Sequence, residues 1–277
     1  MLIAASIVLI AFSWRKCNNA KLIPFYICIS GLIYIFELVS FVILDSYRYM
    51  PGIFKDLFYD SAIGAVVSNG FIVPSACVFI AVYNLSFLWI LLISAGFMGV
   101  EQLFLHLDIF EHHWWKTIYT GIGLIVLFLI GKRLWRKMNE ADLPYYFRLI
   151  ALYIINVSLQ GSVQFFYIVL FHQVEYRPGW FEDPSRDNIS FATIIVHMDS
   201  VLFAIAISLR AHWLWKAVIL AGIGGGLLWL IQLDVLITSG IWPVFILFLL
   251  QIALLQLLSR LNRILTAKSG ARNYGQA

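Results

Sequence analysis

The chain has 277 residues, 62% of them hydrophobic and 12% charged, with a mean hydropathy of +0.88. No ordinary soluble domain of this length has that composition, and a net charge of +4 is too small and too unevenly spread for a nucleic-acid surface. The expected partner is the lipid bilayer, and the expected class is an all-α, polytopic transmembrane helix bundle.

Residues 1–14 are apolar and are followed by Arg15 and Lys16. The stretch is short for a span, yet it lacks the basic leader and small-residue cleavage site of a signal peptide, so it reads as a first helix with its N-terminus outside. Eight longer apolar segments follow at about 24–44, 61–83, 86–107, 115–131, 149–171, 190–209, 217–237 and 241–259, each bounded by a charge, a proline or a polar cluster. The expectation is therefore eight to nine spans in one membrane domain over 1–265, with a short basic tail at 266–277.

Charge fixes the expected orientation. With nine spans, fourteen of the nineteen Lys and Arg fall on one side: Arg15, Lys16, Lys21, Lys132, Arg133, Arg136, Lys137, Arg148, Arg210, Lys216, Arg260, Arg263, Lys268 and Arg272. The other side holds five, beside nine acids. Positive charge collects on the cytoplasmic face, which predicts an outside N-terminus and a cytoplasmic C-terminus. The exterior connections 45–60 and 172–190 are rich in Tyr, Trp, Pro and acid, as expected for caps at the lipid interface. No convincing internal repeat stands out. Cys17, Cys28 and Cys77 suggest neither a disulfide framework nor a metal site, and Asn188-Ile189-Ser190 fits a glycosylation sequon that carries little weight.

Against this apolar background, Glu37, Glu101, Asp199 and Asp234 stand inside spans that contain no deep Lys or Arg. Asp at a helix centre costs roughly 2.5–3.5 kcal/mol to insert, so intramembrane acids are candidates for proton or ligand binding. The orientation puts Glu37, Asn69, Glu101, Gln102, His106, Gln164, His197 and Asp234 in the outer half, Asp234 close to the boundary, and Asp199 near the middle. Asn156, Gln160 and Gln164 form a polar stripe at four-residue spacing; Ser30, Tyr34 and Glu37 form a second, and Gln102 with His106 a third. These stripes serve equally as interhelical hydrogen-bond glue. The ligand or proton-binding candidates are Glu37, Glu101, Asp199, Asn69, Gln160, Gln164, His106 and His197.

No metal or cofactor is expected. His197 and Asp199, two apart on a helix, face different neighbours, and Glu111-His112-His113 beside two tryptophans reads as an interfacial loop. Pro74 removes a backbone donor and frees the Gly70 carbonyl, making this span a candidate cavity wall. The glycines of 222–226 have the small-xxx-small spacing of close helix contact.

The segments Glu101-Gln102-Leu103-Phe104, Leu107-Asp108-Ile109-Phe110, His113-Trp114-Trp115-Lys116-Thr117 and Tyr119-Thr120, with Tyr49-Met50-Pro51 and residues 60–74, resemble small uncharacterised polytopic membrane proteins of endospore-forming Firmicutes. That resemblance implies a bacterial cell membrane and no particular activity. The last span lacks the lysine that a retinal protein needs. Two functions remain open: an outward-facing pocket that binds a small polar or cationic ligand or protons in transport or sensing, and an intramembrane acid/base enzyme acting on a lipid or isoprenoid. A structural or assembly role is the third.

Overall fold

The computed structural model describes residues 2–140 and 142–267. It is mostly helical, and eight of its helices are long and apolar enough to cross a membrane. In chain order the elements are α1 (Leu2–Cys17), α2 (Leu22–Ile43), β1 (Tyr47–Tyr49), α3 (Leu57–Val82), α4 (Phe87–His106), β2 (Phe110–His112), α5 (Thr117–Met138), α6 (Tyr145–Leu170), β3 (Val174–Tyr176), α7 (Pro184–Ser208), α8 (Trp213–Gln232), β4 (Leu236–Thr238) and α9 (Ile241–Thr266). Part of the expected basic tail, including Lys268 and Arg272, lies outside the described residues.

The expected segments survive with shifted ends, and the composition explains why. A bilayer-length run of Leu, Ile, Val and Phe with no water to bond the backbone satisfies its amides only as a helix. Asp234 falls beyond the end of α8, in a turn with φ 55°. The four short strands depart from the all-α expectation: β1 pairs antiparallel with β2, and β3 with β4. Three residues per strand are too few for periodicity to signal.

The helix ends separate into two layers. At one end basic side chains cap neighbouring carbonyls: Lys21 donates to Met138 O (2.8 Å), Lys132 to Leu85 O (2.6 Å) and Arg148 to Ser208 O (2.6 Å). The strands lie at the opposite end.

The chain is an internal duplication, contrary to the reading of the sequence. A shift of 127 positions carries Tyr49, Pro51, Gly52, Phe54, Asp56 and Asp60 onto Tyr176, Pro178, Gly179, Phe181, Asp183 and Asp187. In each copy the buried second aspartate accepts three successive backbone N–H groups. Asp60 takes Gly52, Ile53 and Phe54 at 2.6–2.9 Å, and Asp187 takes Gly179, Trp180 and Phe181 at 2.7–3.1 Å. The glycines have φ 71° and 78°, which admit the turn at no steric cost. The first aspartate caps the following helix in each case. Thus α2–β1–α3–α4–β2–α5 and α6–β3–α7–α8–β4–α9 are parallel repeats, with α1 preceding them and packed on α3.

Past Ile72, within α3, the shift falls to 126: Asn84 matches Arg210, both with positive φ, and the β2 register matches that of β4. The extra residue is absorbed by a π-helical stretch, Val66–Ile72, in α3, for which α7 has no equivalent. There the Gly70 carbonyl, freed as expected, accepts from Tyr26 Oη (2.8 Å) and more weakly from Ser30 Oγ (3.5 Å). Tyr26→Phe removes the shorter bond and is expected to lower stability by about 1 kcal/mol, measurable as a melting shift in detergent.

The repeats meet along α2 and α6, and α7 packs on the end of α2. Cross-repeat bonds reinforce this at the strand end: Ser185 Oγ to Asp56 (2.5 Å), Asn188 Nδ2 to Tyr59 Oη (2.8 Å), and Arg186 to the carbonyls of Val42 and Ile43. Asn188 also accepts from Tyr176 N and is 1% exposed, so this sequon side chain is closed to glycosylation. Helices α4 and α8 are peripheral and present broad apolar surfaces, such as Leu88, Trp89, Trp215 and Trp229. The glycines of α8 do not make the expected close helix contact. Gly222, Gly225 and Gly226 have nothing within 4 Å of a Cβ position, and Gly224 meets only the Phe248 ring.

Candidate functional site

Two cavities flank Glu37, which stands where the α-helical part of α2 gives way to the π-helical turn Leu38–Ile43. The larger, of about 410 Å³, lies inside the first repeat between α2, α3, α4 and α5, under β1 and β2. Its size suits a small organic molecule. Its polar end holds Glu37, Glu101, Asn69, Ser68 and Thr120. From Thr120 it follows α5 to Ile130, about 15 Å at 1.5 Å per residue, along Gly123, Leu124, Val126 and Leu127.

The strands hold the carboxylates in place. Tyr47 Oη donates to Glu37 Oε1 (2.5 Å), and His112 Nε2 lies 2.9 Å from Glu101 Oε1. Tyr47 and His112 are directly opposite in the β1–β2 register, so one strand pair orients both acids. Burial, and then the nearby Glu37 charge, push the Tyr47 phenol well above its ordinary range, which keeps it a donor. Tyr49 is pushed up by the same two causes.

Around these acids the rings of Tyr47, Tyr49, Phe110, Trp115 and Tyr119 form a continuous cluster. Tyr49 lies 4.7 Å from Phe110, Tyr47 5.5 Å from Trp115, and Trp115 5.5 Å from Tyr119, between centroids. Carboxylates beside aromatic faces suit a positively charged group on electrostatic grounds. Glu37 Oε2 is buried and has no hydrogen-bond partner among the described residues.

The smaller cavity, of about 130 Å³, lies between the repeats. Of its nineteen lining residues, eighteen form nine pairs related by the 127-residue shift, which places it on the axis relating the repeats. Glu37 pairs with Gln164, Asn69 with Val196, and Tyr34 with Gly161. Where the two copies crowd together, Tyr34 fills the space that Gly161 leaves, 3.3 Å from the Gly161 Cβ position.

The sequence candidates therefore do not form one site. Glu37, Glu101 and Asn69 share the larger cavity, and Glu37, Asn69 and Gln164 share the smaller one. Asp199 and Gln160 lie in the second repeat, where Gln160 Nε2 donates to Gln251 (2.7 Å) and Gln251 Nε2 reaches Asp199 Oδ2 (3.3 Å). Under the repeat shift Gln160 replaces Ile33 and Asp199 replaces Val73, both walls of the larger cavity. The second copy thus carries a bonded polar cluster where the first has apolar walls of its cavity. His197 is held by Tyr153 Oη (2.8 Å), apart from Asp199. His106 is exposed on α4 and joins neither cavity, because its spacing from Glu101 turns it away.

Sequence reasoning missed Tyr47 and His112, which it left in interfacial loops. Polar partners for Glu37 and Glu101 were required, and the nearest strand-end residues were the place to seek them. Comparison with protein-family models, with curated proteins and with solved structures finds no match.

Proposed function

We propose that the chain is a multi-pass protein of a bacterial cell membrane that binds an amphiphilic organic cation in transport or sensing. The basic helix ends face the cytoplasm, and the strand-capped end with its acids faces outward, in line with the uneven Lys and Arg distribution. One observation carries the reading: Glu37 and Glu101 converge on a single aromatic-walled cavity that, among the described residues, no Lys or Arg lines. An ammonium group sits between the carboxylates and the rings, and an apolar tail runs along α5 toward Ile130.

The test is binding of dodecyltrimethylammonium to the protein in lipid nanodiscs, with dodecanol as the uncharged control. Saturating cation is expected to raise the melting temperature, and dodecanol is not. Glu101→Gln and Glu37→Gln should each weaken binding by at least about 30-fold, the equivalent of 2 kcal/mol for losing one partner of a desolvated charge contact. Equal binding of both amphiphiles, or full affinity in both variants, overturns the proposal.

The long apolar limb of the cavity favours a second reading, in which a glutamic acid protonates a lipid or isoprenoid and aromatic faces stabilise the resulting positive charge. A lipid profile that changes on expression and reverts in Glu37→Gln would establish that reading instead.

A further inference from the structure

We propose that the cavity between the repeats is a binding site for one monovalent metal cation of the sodium class, held between Glu37 and Gln164. Both residues present a buried oxygen without a partner, Glu37 Oε2 and Gln164 Oε1, and Gln164 is only 4% exposed. The two side chains line the same 130 Å³ space from opposite repeats, and no direct hydrogen bond joins them. That volume holds a small ion with several waters.

The lining identifies the occupant. Its titratable groups are Glu37 and Tyr34, so ionising Glu37 gives the site a single negative charge, and the remaining polar groups are the side chains of Asn69, Gln164 and Thr193. Carboxylate, amide and hydroxyl oxygens suit a hard cation, and a single carboxylate favours one positive charge over two. A proton on Glu37 would neutralise the carboxylate but leave the Gln164 oxygen across the cavity unpaired. A cation with its waters satisfies both. Toward the strand end Phe41, Val42, Ile168 and Val169, all at most 5% exposed, close the cavity with apolar surface.

Glu37 lines both cavities, so an ion here draws its charge away from the larger one. Resting on the proposed function, this makes sodium and the organic cation competitors for one carboxylate, the minimum equipment for exchange.

The experiment measures binding of radioactive sodium to the purified protein in nanodiscs, at ionic strength held constant with caesium chloride. Saturable binding of one ion per chain is expected. It should be lost in Glu37→Gln, weakened about tenfold or more in Gln164→Leu, and unchanged in Asp199→Asn, whose carboxylate lies in the other cluster. Gln164→Glu, which places a second carboxylate across the axis, should gain calcium binding, a gain that a misfolded protein cannot mimic. Absence of saturable sodium binding, full binding in Gln164→Leu, or equal loss in Asp199→Asn overturns the site. Glu101→Gln should spare sodium while weakening dodecyltrimethylammonium, and Gln164→Leu should do the reverse, so either proposal can fail alone.

Discussion

Asp60→Ala and Asp187→Ala are each expected to destabilise the protein by about 3–5 kcal/mol, and by similar amounts. Each carboxylate accepts from three consecutive backbone amides, and each is 3% exposed. Alanine leaves three N–H groups without an acceptor in a turn that water reaches only in part, at about 1–2 kcal/mol each. Asparagine should cost roughly half as much, because its Oδ1 can retain the two amides bound to one oxygen while its NH₂ opposes the glycine N–H. Thermal denaturation in detergent should show a melting temperature lower by on the order of 10 °C for each alanine variant. A wild-type melting temperature for either would mean that the turn holds without its carboxylate. A large difference between them would mean that the two copies no longer do the same job.

Gly31→Ala is the second. A Cβ at Gly31 would sit 2.1 Å from the backbone oxygen of Ile154 and 2.8 Å from its Cγ2, where α2 crosses α6. A backbone oxygen cannot rotate away, so the helices must separate, at an expected cost of about 1–3 kcal/mol or more. Tyr34 and Glu37 follow on the same helix, so the separation also opens the cavity between the repeats. Gly161→Ala is the control: its Cβ meets only the Tyr34 ring at 3.3 Å, and a few tenths of an ångström of ring movement relieve it. The melting temperature of Gly31→Ala should fall well below that of Gly161→Ala. Equal values would show that the α2–α6 crossing yields as easily as a side chain.

The duplication shows where a sequence loses legibility. Leu, Ile, Val and Phe interchange freely on lipid-facing and core surfaces, so the helices of the two copies share little identity. What persists is the turn, where Pro51, Gly52, Asp56 and Asp60 match Pro178, Gly179, Asp183 and Asp187 because amide capture and positive φ admit few alternatives. Those segments were legible only as aromatic caps. The one-residue π insertion in α3 then breaks the register, hiding the match between the latter parts of the copies.

By itself the sequence placed the eight long apolar helices, since a run of bilayer length without charge has one way to satisfy its backbone. It also singled out Glu37, Glu101 and Asp199 as residues whose burial needs a reason. Which acids act together was decided by tertiary structure alone. Glu37 and Glu101 lie 64 positions apart in the sequence and meet through a strand pair too short to leave a periodic signal. Asp199, equally conspicuous in the sequence, is folded into the other repeat against Gln251. Helical periodicity reports which face a residue occupies, whereas the neighbour across that face is chosen by how the two copies pack.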